Sequence, residues 1–255
     1  MACALPVARV GLYGRTLGNQ GNAMCFAPEA DVVAGAIIVV VGVDALRHVA
    51  SPKQIPLAVL PLLFGLHQLT EAFVWWGLRG DVSESAERVA IWIWLLFAFV
   101  ALPVLLPIAV DLVERSKIRR GVIAAFAGIG LAVGIALGVG IFRDPVNAHI
   151  QGRCISYQVD ALGNGREWTV LYVIAACGAL LASSHRDLAA LGAVNLVVTP
   201  LLMWLTVSGF VSLWCFWAAI ASVAIAFHLR RTGRARDAVR DERPRTDSEA
   251  GAYSP

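Results

Sequence analysis

Apolar segments of roughly twenty residues follow one another along most of this chain, and the polar connections between them are short. A helix of that length rises about 30 Å, which is the thickness of the hydrocarbon core of a bilayer. The composition agrees, because 58% of the residues are hydrophobic and 15% are charged, whereas soluble domains carry about 25% charged residues. The expected fold class is therefore an all-α, polytopic transmembrane helix bundle.

About seven spans are predicted, at 31–46, 56–78, 89–110, 121–142, 168–183, 188–207 and 210–227. Only Ser208 and Gly209 separate the last two, which favours a tight helical hairpin; one long helix, with six spans in total, is the alternative. The predicted domains are a non-native or disordered leader at 1–23, a seven-helix transmembrane domain at 24–230 and a cytoplasmic tail at 231–255. The tail mixes charges with Gly, Pro and Ser, so we expect it to be disordered.

The positions of arginine and lysine predict the orientation, because short cytoplasmic loops are enriched in both. An outside amino terminus and a cytoplasmic carboxyl terminus place the denser basic set inside, which fits a multi-pass protein of the plasma (inner) membrane. That set is Arg47, Lys53, Arg115, Lys117, Arg119, Arg120, Arg186, Arg230, Arg231, Arg234 and Arg236. The net charge of +3 is not gathered on one face, so nucleic-acid binding is not indicated. Lys53 and Lys117 are the only lysines, and neither lies in an apolar segment, which excludes a retinal-type Schiff base within a span.

The second apolar segment contains His67, Gln68 and Glu71, whose spacing of three and four places them on one side of a helix. An acid at the centre of a span costs about 2.5 to 3.5 kcal/mol on insertion scales, so we expect these groups to face the bundle interior in a polar pocket that opens outward. Three interpretations stand: a hydrogen-bonded packing network, a site for a ligand, ion or proton, and a metal-dependent catalytic site. The third is the weakest, because a catalytic zinc usually takes three protein ligands. No metal or cofactor is expected.

Other polar residues within the spans have plainer interpretations. Asn195 and Thr199, four residues apart in the sixth span, are expected to join the polar network or to hydrogen-bond between helices. Asp31 reads as a charge at a helix amino terminus, and Asp44 as a partner of Arg47.

Tryptophans gather at the helix ends that this topology places outside: Trp75, Trp76, Trp92, Trp94, Trp168, Trp204 and Trp214. An aromatic belt at the headgroup level explains the pattern. A sharper alternative is that Trp75, Trp76 and Trp92 line an aromatic ligand pocket.

Gly130, Gly134 and Gly138 repeat every four residues in the fourth span and share one face. Small residues at this spacing let a neighbouring helix approach closely. Packing within the chain is the default interpretation, and a homo-oligomer through this face is the alternative.

Two cysteines fall on the predicted outer side, Cys25 before the first span and Cys154 in a long loop. In an oxidising compartment they could form a disulfide that clamps the loop over the bundle; two free thiols is the alternative.

The stretch that begins Met24, Cys25, Phe26, together with Phe64, Gly65, Gln68 and Glu71 in the second span, resembles a family of bacterial multi-pass membrane proteins that is catalogued as a domain of unknown function. Its members typically begin Met-Cys-Phe-Ser-Ala and carry Phe-Gly-x-x-Gln-x-x-Glu-Gly in the second helix. The resemblance favours Met24 as the initiator. This chain departs from the pattern at Ala27 and Ala72, where the family has Ser and Gly, and the resemblance implies no activity.

These patterns lead us to expect a membrane protein that binds a small molecule or an ion and acts as a transporter or a sensor. Its expected partners are the lipid bilayer and that ligand, and the chain is more easily read as a binding protein than as an enzyme. A structural or assembly role in the membrane is the alternative, and an intramembrane metal-dependent enzyme comes third.

Overall fold

The computed structural model describes residues 28–143, 145–151, 154–159, 166–205 and 210–241. Within these residues the chain forms seven helices and one antiparallel β-hairpin, and each helix covers most of one predicted segment. The helices are α1 Pro28–Arg47, α2 Ile55–Arg79, α3 Glu84–Val113, α4 Lys117–Arg143, α5 Arg166–Ala182, α6 Arg186–Leu205 and α7 Phe210–Asp241. The strands are β1 Val146–Gln151 and β2 Cys154–Val159, with Ala148 opposite Tyr157.

The helical fold class is confirmed at this level. Three of the described helical segments are long and apolar enough to cross a membrane: Pro52–Arg79, Glu84–Val113 and Lys117–Arg143. The β-hairpin was not expected, because its sequence was interpreted as a loop.

Consecutive helices are antiparallel, so the connections between them lie at two opposite ends of the bundle. The hairpin end holds β1, β2 and the turn between α2 and α3, where Gly80 has a φ of 83°. This left-handed conformation favours glycine and lets the Asp81 N–H reach the Trp76 carbonyl at 2.8 Å, which closes the helix end. The Glu114 end holds the connections 48–54, 114–116 and 183–185.

The structure favours the predicted helical hairpin over one long helix for the sixth and seventh helices. The Trp217 indole N–H donates to the Asn195 side-chain oxygen at 2.7 Å, although the two residues are 22 apart in sequence. A continuous helix would separate them by about 33 Å, so α7 must return alongside α6.

The disordered tail predicted from residue 231 begins too early. Helix α7 continues to Asp241, because Arg and Ala in this stretch favour helix and Arg231 lies 3.5 Å from Asp187 of α6. Another expectation changes nearby, since Asp44 pairs with Arg230 of α7 and with His48 rather than with Arg47.

Helices α1 and α2 pack at backbone distance. A Cβ on Gly65 would lie 2.6 Å from the Val39 nitrogen, and one on Gly35 would lie 2.9 Å from the Gly65 carbonyl oxygen. Gly65 is one of the second-helix residues on which the family resemblance was based, and the structure gives it a packing role.

The glycine face of α4 packs against α3 of the same chain. A Cβ on Gly130 would overlap the Pro103 carbonyl oxygen, one on Gly134 would lie 2.9 Å from the Val100 oxygen, and one on Gly138 would lie 3.3 Å from a Val100 methyl. This face therefore packs within the chain, as the default interpretation expects.

Helix α3 widens into a π-helical turn at Leu96–Ala101, where the Leu102 N–H bonds the Phe97 carbonyl. The next donor in this register would be Pro103, which has no N–H, so the Ala98 carbonyl loses its helical partner. The Tyr172 hydroxyl of α5 donates to that carbonyl at 2.9 Å instead. The wide turn is thus stabilised from a neighbouring helix.

Glu114 joins two connections at the opposite end of the bundle through hydrogen bonds. Its buried carboxylate accepts from the backbone N–H groups of Arg115 and Ser116 at 2.9 Å, and from the backbone and hydroxyl of Ser184 at 2.6 and 2.7 Å. One side chain therefore holds the 114–116 connection before α4 together with the α5–α6 connection.

Candidate functional site

The polar group of the second span lies in the interior near the hairpin end. His67, Gln68 and Glu71 are 3%, 0% and 1% exposed, so all three face the bundle and not the surface. Gln68 donates from its side-chain amide to Oδ1 of Asp31 at 3.2 Å, and Asp31 is itself 2% exposed. The site thus joins α2 to the first turn of α1.

Asp31 is a site residue that sequence reasoning misread as a helix-end charge. Its position three residues after Pro28 is typical of an exposed amino-terminal acid. The signal that could have identified it is its place in an apolar helix, where an acid needs a buried partner.

His67 occupies the second half of the site, between α2 and α3. Its ring stacks on Trp94 with centroids 4.8 Å apart and contacts Phe97 at 4.7 Å. Trp94 in turn stacks on Tyr157 of β2 at 3.9 Å. A column of rings therefore runs from the hairpin to His67.

Several buried polar atoms of this site have no hydrogen-bond partner in the described part of the chain. They are Nδ1 and Nε2 of His67, Oε1 of Gln68, Oδ2 of Asp31 and the indole nitrogens of Trp75 and Trp94. Trp75 lies beside the Asp31 carboxyl, but its N–H does not reach hydrogen-bond geometry. Buried polar groups in proteins are nearly always satisfied, so this concentration indicates a place for water or a ligand.

Of the three tryptophans suggested for an aromatic pocket, the structure brings only Trp75 to the site. Trp76 lies against Phe73, with ring centroids 5.1 Å apart, and Trp92 lies against Phe142 at 5.2 Å. Both are partly buried at the periphery of the bundle. Trp94 is the ring that reaches His67, because it lies two residues further along α3 and points inward.

Asn195 and Thr199 do not join this site. Thr199 donates to the Asn195 carbonyl within α6, and the Asn195 side chain is held by Trp217 of α7. Asn195 lines another cavity of about 40 Å³ between α2, α3, α5, α6 and α7, together with Tyr172 and Ser222. This volume is enough for a water molecule.

The predicted disulfide is not tested by the structure, because Cys25 lies outside the described residues. Within them, no three His, Cys, Asp or Glu side chains come together in a way that could hold a metal ion.

Charge at the rim comes from Arg79, whose guanidinium lies 5.4 Å from the centre of the Trp75 ring. Every lysine or arginine whose burial is described is exposed. The interior of the site therefore combines acids, an imidazole, an amide and indoles.

No curated protein and no solved structure is significantly similar to this chain. The profile of a family of unknown function, DUF6629, matches residues 24–241, which includes every helix described above. The chain therefore belongs to the family of unknown function DUF6629.

Proposed function

We propose that this chain crosses the membrane seven times, with its amino terminus outside and its carboxyl terminus in the cytoplasm. We further propose that it binds a small polar molecule in the site around His67, Gln68 and Asp31, as a transporter or a sensor. Glu71, on the same face of α2, belongs to this site.

Exposed apolar side chains support the membrane location. Val40 on α1, Phe142 on α4 and Val197 on α6 are each 69% exposed. Large exposed apolar surface is rare on soluble proteins, and lipid would cover it here. Since α1 and α6 are among these helices, the exposed side chains support a spanning set larger than the three helices that are long and apolar enough to cross.

The basic residues at the two ends support the orientation. The Glu114 end carries Arg47, Arg115, Lys117, Arg119, Arg120 and Arg186. The described residues of the hairpin end carry fewer, namely Arg79, Arg88, Arg143 and Arg166, so the Glu114 end is the natural cytoplasmic side. The site then lies in the outer half of the bundle.

His67 carries the proposal of a binding site. A neutral imidazole has one donor and one acceptor nitrogen, and neither is used in the described structure, although the side chain is only 3% exposed. A residue kept only for packing would not need these nitrogens, because phenylalanine could make the same stack on Trp94.

A comparison of two variants tests this proposal. His67→Phe keeps the ring contacts and removes the unsatisfied nitrogens, so we expect the ligand-free protein to melt at the same temperature as wild type or higher. Gln68→Leu removes a hydrogen bond that is made and should lower the melting temperature. If His67→Phe is as destabilising as Gln68→Leu, the polar group is a packing network and the proposal is wrong.

The structural alternative has one specific observation in its favour. The Gln68 to Asp31 bond lies about one helical turn from the close approach of Gly35 and Gly65, so the polar pair also fixes how α1 packs on α2. A purely structural role predicts that every substitution in the site lowers stability and that none changes ligand binding.

A further inference from the structure

The unsatisfied atoms of the site are mixed in kind. Trp75 and Trp94 offer indole N–H groups, which only donate, and Gln68 Oε1 and Asp31 Oδ2 accept. His67 adds one donor and one acceptor. If Trp75 and Asp31 satisfied each other, two donors and two acceptors would remain. These are the Trp94 N–H, Gln68 Oε1 and the two ring nitrogens of His67.

These atoms lie along a short stretch of α2. His67 and Trp75 are eight residues apart, which corresponds to about 12 Å of helix. Trp75 of α2 and Trp94 of α3 belong to the same cluster of buried residues. The Asp31 carboxyl lies beside both Gln68 and Trp75, and His67 stacks on Trp94, so a compact molecule at either of these two places can meet more than one of the atoms.

The rings leave edges, and not faces, for a ligand. His67 is covered by Trp94 and Phe97, and Trp94 is covered on its other side by Tyr157. Recognition must therefore occur through hydrogen bonds to the nitrogens, which argues against a large flat aromatic ligand.

The mixture of donors and acceptors also restricts the charge of the ligand. A cation would be attracted to the acids Asp31 and Glu71, but it would leave the indole N–H groups unsatisfied, because it cannot accept hydrogen bonds. An anion would leave Gln68 Oε1 unsatisfied and would lie beside the acid Asp31. Each buried group left without a partner costs about 1 to 3 kcal/mol.

We infer that the site takes a small neutral molecule whose groups both donate and accept hydrogen bonds, such as a compact polyol or amide. This inference rests on the proposed binding function and names its ligand class. Hydroxyl and amide groups satisfy both kinds of atom without bringing a charge into the bundle.

The indole N–H groups provide a direct test. In protein labelled with ¹⁵N-tryptophan in lipid nanodiscs, the resonances of Trp75, Trp94, Trp76 and Trp92 are assigned with single Trp→Phe variants. The protein is then titrated with glycerol, methylammonium, formate and glycine as neutral, cationic, anionic and zwitterionic probes. Trp76 and Trp92 serve as controls, since both lie outside the site.

We expect glycerol to shift the Trp75 and Trp94 resonances saturably and to leave the two control indoles unchanged. His67→Phe should raise the glycerol concentration needed for half saturation about tenfold, which is the effect of losing one to two hydrogen bonds. A saturable shift with methylammonium, formate or glycine but not with glycerol overturns the neutral class, while the binding function stands. If no probe shifts these resonances, the inference is wrong, and the melting temperature of His67→Phe decides separately whether the binding function is wrong too.

Discussion

The side-chain amide of Gln68 donates to the Asp31 carboxylate at 3.2 Å and so ties the middle of α2 to the first turn of α1. Both residues are almost fully buried. This bond makes Asp31 part of the site and aligns the two helices whose glycines meet below it.

Loss of this bond should destabilise the protein. Gln68→Leu leaves the Asp31 carboxyl without its donor, so we expect the free energy of unfolding to fall by about 1 to 3 kcal/mol. Asp31→Asn should cost less, because its side-chain oxygen can still accept from Gln68. Denaturation of Gln68→Leu, Asp31→Leu and the double mutant of the two measures the coupling. Strictly additive losses would show that the two side chains do not interact.

The glycine face of α4 gives a matched pair of substitutions. Gly130→Ala places a methyl group on the Pro103 carbonyl oxygen and should cost about 1 to 3 kcal/mol through overpacking. Gly128→Ala, on the same helix, meets no atom within 4 Å and should be neutral or stabilising by up to about 1 kcal/mol. Melting temperatures of the two variants check this, and equal losses would show that the α3 contact is absent.

The wide turn of α3 depends on a hydroxyl from α5. Tyr172→Phe removes the donor to the Ala98 carbonyl and should lower the free energy of unfolding by about 1 to 2 kcal/mol, because that carbonyl is buried without a helical donor. Chemical denaturation in detergent measures the loss. An unchanged stability would mean that another group satisfies the carbonyl.

Acid should weaken the Glu114 end. Burial alone would raise the pKa of Glu114, but the hydrogen bonds from Ser184, Ser116 and Arg115 outweigh it and lower the pKa to about 2. An unfolded glutamate titrates near pH 4.3, so the stabilisation is complete above that pH and is lost as the pH falls towards 2. It amounts to a few kcal/mol as an order of magnitude.

The variant Glu114→Gln tests this pH dependence. It should lower stability at pH 7 and reduce the loss of stability between pH 4.5 and pH 2. Arg120→Gln is a suitable control, because it breaks an exposed ion pair with Asp111 at the same end of the bundle, where such pairs contribute little. A pH profile that is identical in wild type and Glu114→Gln would contradict the assignment.

The lengths of the hydrophobic segments were enough to predict the helices. Backbone N–H and C=O groups in an apolar environment must be hydrogen-bonded within the chain, and a helix achieves this within one segment. The spacing of His67, Gln68 and Glu71 correctly placed all three side chains in the interior. Their contacts could not be predicted, because the partners Asp31 and Trp94 come from other helices at sequence distances that carry no local signal. An acid at a helix start and a tryptophan at a helix end each have a common explanation. Asp31 and Trp94 were therefore not identified from the sequence as residues of the site.

The β-hairpin and Glu114 were missed for related reasons. The strand sequence VNAHIQ alternates between apolar and polar residues, which is the period of a half-buried strand, but the stretch is short and was interpreted as part of a loop between two apolar segments. Glu114 looks like an ordinary loop acid, and its role depends on Ser183 and Ser184, about 70 residues later. Such long-range hydrogen bonds follow from the packing of α3 against α5.

An experimental density map of the protein in nanodiscs tests the central claim most directly, at a resolution that shows ordered water. We expect non-protein density within about 3 Å of a His67 ring nitrogen and of Gln68 Oε1, enclosed by α1, α2, α3 and the hairpin. A map in which these atoms bond only to other protein side chains, or face lipid acyl chains, would contradict a ligand site at this position.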